Sequence, residues 1–170
     1  MEVADFWSSI HSEESVERAI VYNQDGSVLF PERMGTLNEV EFTHEELSQM
    51  RGKTLVHTHV DTGDLTDRML SPEDLYTASF YGMGEIQAAT SSSISAFSPG
   101  TVLFGNTSMR NQFIDGYNDI IESGRMNIET LADDVKITEG VLEIAKAMSD
   151  YLKSNKRKFG YSYEERGVFD

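Results

Sequence analysis

The chain has 170 residues, no cysteine, and 14 basic against 29 acidic residues, which gives a formal net charge of −15. So acidic a chain repels phosphate backbones, which argues against nucleic acid as a partner. The lack of cysteine excludes disulfides and thiolate metal sites, and no apolar run approaches the length of a membrane span. Because the N-terminus is acidic, no signal peptide is expected, and a cytoplasmic protein is the default prediction.

The first half of the chain predicts short strands and two capped helices, from apolar spacing, turn residues and capping residues. In chain order, the predicted elements are a helix or irregular lead-in over 2–15, hairpin strands over 17–22 and 27–30, a loop over 31–38, a helix from Thr43 to about Arg51, a strand over 53–59, and a helix from Ser71 to about Tyr81.

The second half changes from strands to helical periodicity near residue 106. Its predicted elements are strands over 85–90, 94–97 and 101–104, a helix around Phe113–Ile121, a second helical segment from Leu131, a third around Leu142–Leu152, and an edge strand at 161–163. This order predicts an α+β protein with a helical C-terminal third. The predicted division is a first domain over 1–104 and a helical extension over 105–170 that covers the sheet or mediates assembly.

Segment 53–75 concentrates the side chains that metal chemistry can use. His57 and His59 are two residues apart on a predicted strand, so both imidazoles project from one face. Ser71 is predicted to cap the next helix, with Pro72 at its first position and Asp74 in its first turn. If this helix packs back over the strand end, Asp74 joins the histidines in a ligand set that zinc accepts.

Each part of this pattern also has a purely structural explanation. A lone pair of histidines two apart usually consists of ordinary strand residues, and Ser71 with Asp74 forms a capping box whatever its surroundings. The spacer over 60–70 carries Asp61, Asp64 and Asp67, which fit a solvated loop, a lid over a site, or further metal ligands.

The order HTH followed by SPED resembles the signature of the JAB/MPN (JAMM) metalloproteases, and stretches such as ERAIVYNQDGSVLF resemble phage and bacterial accessory members. The resemblance implies a three-layer α/β/α arrangement around a mixed sheet. It also implies that Zn²⁺ is bound by His57, His59 and Asp74, and that Ser71 holds the reacting carbonyl or its oxyanion. The chain departs from the family pattern at Val60, where relatives usually have proline, and in its longer spacer.

In the same family an upstream glutamate is the general acid/base. Glu17 is the candidate for this role, because it stands at the head of the strand that resembles the family's first motif. Its alternative is an exposed carboxylate at the end of a strand, and Glu13 and Glu14 compete for the catalytic role.

The resemblance implies a zinc-dependent hydrolase of peptide or isopeptide bonds that acts on a protein or peptide substrate and has no membrane partner. A non-enzymatic JAB-like scaffold or interaction protein in phage head or tail assembly, as a homo-oligomer or with an assembly partner, is the main alternative. Retention of the five motif positions favours the enzyme, whereas Val60 and the long spacer favour the scaffold. A RadC-like DNA-repair protein is disfavoured by the net charge of −15.

Overall fold

The structure is a computed structural model that describes residue 6 and residues 15–60, 62, 67, 69–90, 93–131 and 133–167. Its centre is a six-stranded mixed sheet with the strand order β2-β1-β3-β4-β5-β6. The strands are β1 (Arg18–Tyr22), β2 (Val28–Met34), β3 (Thr54–Thr58), β4 (Glu85–Ala89), β5 (Ser93–Ser98) and β6 (Ser162–Gly167). Strands β3 and β4 pair in parallel, and the other neighbouring pairs are antiparallel. The predicted α+β class is confirmed.

The described part of the chain also contains six helices. They are α1 (His44–Gln49), α2 (Pro72–Tyr81), α3 (Gly100–Gly105), α4 (Thr107–Glu129), α5 (Asp134–Ser154) and α6 (Lys156–Phe159). Among the described residues, no helix combines the length and the apolar character needed to cross a membrane. The two long helices, α4 and α5, make up most of the C-terminal third, as predicted.

One hydrophobic cluster joins the helices to one face of the sheet. Val21, Leu55 and Phe97 enter it from the strands, and Phe113 and Met148 enter it from α4 and α5. The residues alternate along the strands, so a second, smaller cluster lies on the opposite face and consists of Phe6, Ile20, Tyr22 and Val56. Both predicted parts of the chain contribute to the larger cluster, whereas the predicted boundary at residue 104 stays a prediction. Of the predicted lead-in over 2–15, Trp7 and Ile10 lie outside the described residues.

Strand β2 is longer than predicted and runs through Pro31, where the sequence indicates a loop. Pro31 has no N–H to donate, which an edge strand with a single neighbour tolerates. The pairing of β1 with β2 also shifts there: Ala19 faces Arg33, but Val21 faces Phe30. One extra residue is therefore accommodated in β2 at the proline, in the manner of a β-bulge.

The C-terminal half corrects two further predictions. Residues 101–104 belong to helix α3 and not to a strand, because β6 pairs with β5 along its whole length and occupies that edge of the sheet. The short apolar run alone does not distinguish the two structures. Helix α5 is continuous from Asp134 to Ser154, so the second and third predicted helical segments form one helix. The predicted edge strand at 161–163 is confirmed and extends to Gly167 as β6.

Helix α1 begins with a capping box that is tied to strand β2. The Thr43 hydroxyl accepts from the Glu46 N–H, and the Glu46 carboxylate accepts from the Thr43 N–H. Arg33 donates to both oxygens of the same carboxylate, at 3.0 and 2.5 Å. The hydrogen bonds from Arg33 and then from the Thr43 main chain lower the pKa of Glu46 from 4.5 to about 2.

This pKa predicts a pH-dependent effect of Glu46→Gln. A carboxyl group whose pKa is lower in the folded state stabilises the fold above its ordinary pKa, and this contribution is lost as the pH falls through the folded value. We therefore expect Glu46→Gln to lower the urea midpoint at pH 7, and the difference from the parent to shrink between pH 4.5 and about 2. Glu45→Gln is the control, since its exposed carboxylate contacts no arginine among the described residues. An undiminished difference at low pH would contradict the assignment.

Candidate metal centre

Strand β3 places the two histidines on the helix-covered face of the sheet. Leu55 and His57 are buried on this face, and His59 follows directly after the strand, where its N–H donates to the Ala89 carbonyl at 2.8 Å. The Nε2 atoms of His57 and His59 lie 2.9 Å apart. The predicted projection of both imidazoles to one side is therefore present, because residues two apart on extended backbone point the same way.

Helix α2 places Asp74 against the histidine pair. Ser71 is its N-cap, and the Ser71 hydroxyl accepts from the Asp74 N–H at 3.1 Å, while Asp74 Oδ2 accepts from the Ser71 N–H at 2.8 Å. Pro72 occupies the first turn, and Gly82 ends the helix at φ +64°. The same carboxylate reaches the histidines: Oδ1 lies 3.3 Å from His57 Nε2, and Oδ2 lies 3.5 Å from His59 Nε2.

These three side chains could hold a metal ion, since their ligand atoms all lie within 4.8 Å of one another. In a tetrahedral site with bonds of about 2.0–2.2 Å, ligand atoms are about 3.3–3.6 Å apart. Each oxygen of Asp74 lies at this spacing from one of the two histidines, and the 2.9 Å between the imidazole nitrogens is slightly shorter. Two imidazole nitrogens and a carboxylate oxygen thus fit a divalent cation in both geometry and donor type. The buried Nδ1 of His57, where an outer-shell acceptor would hold a ligating imidazole, has no hydrogen-bond partner among the described residues.

Glu17 lies beside this group because of the register between β1 and β3. Ala19 pairs with His57, so continuing the antiparallel register by two residues puts Glu17 opposite His59. Both main-chain polar groups of Glu17 are hydrogen-bonded to residues 35–36: its N–H donates to the Thr36 carbonyl at 2.7 Å, and its carbonyl accepts from the Gly35 N–H at 2.9 Å. Its side chain is 8 % exposed and has no hydrogen-bond partner among the described residues. The alternative of an exposed carboxylate at the strand end is therefore wrong.

Burial and charge act in opposite directions on the carboxyl groups of the centre. Burial raises the pKa of Glu17, opposed by the charges of His57 and His59. Burial also opposes ionisation of Asp74, but the charges and hydrogen bonds of the two histidines prevail and hold its pKa well below the ordinary value. The pKa values of the two carboxyl groups are therefore shifted in opposite directions. The lowered pKa keeps Asp74 ionised, which a metal ligand requires, and the raised pKa of Glu17 is a shift in the direction that suits a general acid/base.

Burial and charge also act in opposite directions on the pKa of the His59 imidazole. Burial lowers its pKa, but the hydrogen bond to Asp74 and the charges of Asp74 and Glu17 raise it above the ordinary value. A group in this position favours positive charge. The carboxyl groups of Glu17 and Asp74 therefore make this part of the cleft favourable for positive charge.

A cleft of about 440 Å³ connects these groups. All five residues singled out from the sequence line it, and so does a second set of polar residues that the sequence analysis did not select: Asn38, Glu39, Glu73 and Thr77. The apolar part of its lining consists of Ala19, Val40, Phe42, Leu47, Leu55 and Ile86. Two of these residues could have been found from the sequence. Glu73 is in the first turn of the predicted helix, and Thr77 is three residues after Asp74, so it lies on the same side of that helix.

The other acidic and histidine candidates are placed elsewhere or lie outside the described residues. Glu13, Glu14, Asp61 and Asp64 are outside them. The Asp67 carboxylate accepts from the Thr62 N–H at 2.6 Å and from the Thr62 hydroxyl at 2.8 Å, which is a local turn contact, and it does not belong to the ligand group. His44 is exposed on α1, and its Nδ1 lies 2.8 Å from the Tyr81 hydroxyl.

Comparison with protein-family models, with curated proteins and with solved structures found no match for this chain. The functional conclusion therefore depends on the residues of the cleft and on their chemistry.

Proposed function

We propose that the protein is a zinc-dependent hydrolase of peptide or isopeptide bonds. The observation that carries the proposal is the convergence, in one cleft, of a His57/His59/Asp74 group that could hold a metal ion with the buried carboxylate of Glu17. The order of these residues along the chain resembles the JAMM signature, which supports the same reading. When bound, zinc supplies Lewis acidity, which lowers the pKa of water at the site towards about 7.

Glu17 has the chemistry of a general acid/base in this reaction. Hydrolysis adds water across the C–N bond: the hydroxyl goes to the carbonyl carbon, and protons go to the leaving amine. Glu17 takes the proton from the attacking water and returns it to the amine as the bond breaks. Its buried position and raised pKa support this role, because a carboxyl group transfers protons in both directions best when its pKa approaches the working pH.

Ser71 supplies a hydrogen-bond donor for the developing oxyanion. Its Oγ accepts from the Asp74 N–H, and its own O–H has no acceptor among the described residues. A hydroxyl that already accepts one bond can still donate another. Because Ser71 lines the cleft beside Asp74, its O–H is available to a negatively charged oxygen formed there.

The cleft suits a polypeptide substrate. Its lining combines the candidate reactive groups with apolar side chains such as Phe42 and Leu47, which provide a surface for a substrate side chain. The net charge of −15 opposes a nucleic-acid substrate. The chemistry and shape of the cleft therefore favour an amide bond in a protein or peptide.

Metal analysis of the protein purified without chelator or affinity tag tests the proposal. We expect about one zinc per chain in the parent. Replacement of the ligand His57 by alanine removes the zinc, and His44→Ala retains it, since His44 is exposed outside the cleft. Metal identity matters, because two histidines and a carboxylate also suit iron.

A screen of peptide and isopeptide substrates follows on the zinc-loaded protein. If the parent hydrolyses a substrate and His57→Ala loses both the metal and the activity, the result supports the zinc-dependent hydrolase. Zinc bound without hydrolysis would instead favour the metal-binding scaffold, and no uptake of metal at micromolar supply would refute both readings of the centre.

A further inference from the structure

Tyr117 connects helix α4 to the chain just before the candidate ligand Asp74. It is fully buried, and its hydroxyl donates to the Leu70 carbonyl at 2.8 Å, across 47 residues of sequence. Leu70 is itself fully buried and directly precedes the N-cap Ser71. A residue of the helical third thus reaches the start of α2, where the candidate ligand is held.

The peptide group between Leu70 and Ser71 has hydrogen bonds at both ends. Its C=O accepts from the Tyr117 hydroxyl, and its N–H donates to Asp74 Oδ2 at 2.8 Å. A peptide group is planar, so fixing the carbonyl direction also fixes the direction of the N–H. Hydrogen bonds in such a series polarise one another, which strengthens the N–H as a donor. Oδ2 is the oxygen that faces His59 Nε2 at 3.5 Å.

We propose that Tyr117 is a positioning residue for the His57/His59/Asp74 group, and that it orients the Asp74 carboxylate through the peptide group of Leu70 and Ser71. The part of the proposal that concerns metal affinity rests on the proposed function, and the part that concerns the Ser71 N–H does not. In this role, a residue of the helical C-terminal third orients a candidate metal ligand that belongs to the first half of the chain.

The hydroxyl of Tyr117 is suited to be a permanent donor. Burial, followed by the charges of neighbouring groups that include Tyr163 and Asp74, raises its pKa well above the ordinary value. The group therefore stays protonated at neutral pH. The neighbouring ring of Tyr151, 5.9 Å away between centroids, packs against Tyr117 and limits its movement.

Tyr117→Phe tests the proposal, because it removes the hydroxyl and keeps the ring. Tyr161→Phe is the matched control: Tyr161 is buried too, and its hydroxyl donates to a main-chain carbonyl at 2.6 Å, but that carbonyl belongs to Leu152 on α5 and not to the chain that precedes Asp74. We measure the Zn²⁺ dissociation constant by competition with a chelating indicator. We also measure the exchange rate of the Ser71 amide by NMR in the metal-free protein.

We expect Tyr117→Phe to weaken zinc binding by about tenfold, the lower end of the effect of losing an outer-shell partner, because Tyr117 acts on Asp74 through one peptide group. The Ser71 amide is expected to exchange faster by about fivefold or more, since the hydrogen bond that orients it is lost. Tyr161→Phe leaves both quantities at the parent values. Equal effects of the two variants, or parent values in Tyr117→Phe, overturn the proposal.

The two readouts separate this inference from the proposed function. A parent that binds no zinc refutes the proposed function, and the Ser71 exchange rate then decides the positioning role alone. If the parent binds zinc, and Tyr117→Phe shows the same zinc affinity and the same Ser71 exchange rate as the parent, the positioning role is refuted. The proposed function then stays in place.

Discussion

Replacing Glu17 by glutamine is expected to reduce the rate of hydrolysis by about 10²–10⁴-fold, which is the usual contribution of a general acid/base. Glutamine keeps the size of the side chain and cannot take a proton from water at neutral pH. The three candidate ligands are unchanged, so the zinc content of the variant should equal that of the parent. Single-turnover and steady-state rates, together with the metal content, check this expectation.

The stability of the same variant excludes a folding defect as the cause. Burial raises the pKa of Glu17, so ionisation of this carboxyl group is less favourable in the folded state than in the unfolded chain. A neutral amide removes this penalty, and the metal-free variant should melt at the same temperature as the parent or higher. Glu45→Gln, on the exposed side of α1, is the matched control and should keep the parent rate. Parent-like hydrolysis by Glu17→Gln would exclude Glu17 as the acid/base.

Replacing Asp74 by alanine is expected to have two separable effects. Loss of a ligand should weaken metal binding by more than the about 10–100-fold typical of an outer-shell partner. Loss of the carboxylate also removes half of the capping box of α2, because the Ser71 N–H no longer has its acceptor. Leaving this N–H without its acceptor should cost about 1–3 kcal/mol in the free energy of unfolding of the metal-free protein.

The chain offers a matched control for each effect. Glu46→Ala removes the corresponding carboxylate from the capping box of α1, which is not part of the ligand group, and should keep the metal. Ser71→Ala removes the other half of the α2 box and leaves all three ligands in place. We expect it to lower stability but to bind zinc. The ligand assignment is wrong if Asp74→Ala binds zinc as tightly as Ser71→Ala does.

Several features of the centre were predictable because they depend on residues close together in sequence. The capping box of Ser71 and Asp74 spans one turn, and the common side of His57 and His59 follows from the two-residue repeat of a strand. Both predictions are confirmed. Capping residues and alternation act through local backbone geometry, so they can be recognised without knowing the rest of the fold.

Other features could not be predicted from short stretches of sequence, because they depend on residues that are far apart along the chain. The run over 101–104 is compatible with a strand or a helix, and its state was decided by β6, which arrives from the end of the chain to occupy the sheet edge. The burial of Glu17 follows from the register between β1 and β3 and from the segment at 35–36 that pairs with its main chain. Such pairings depend on which strands become neighbours, and a single sequence does not contain that information.

The sequence by itself therefore determined the donor types of the centre, the strand that carries two of them, and the capped helix that carries the third. Only the tertiary structure decided that they meet, with Asp74 at 3.3 and 3.5 Å from the two histidines and Glu17 in the same cleft. The physical reason is that Asp74 is separated from β3 by the 60–70 spacer, whose length permits many arrangements. Contacts from distant elements select one of them, and the bond from Tyr117 to Leu70 is one such contact at the start of α2.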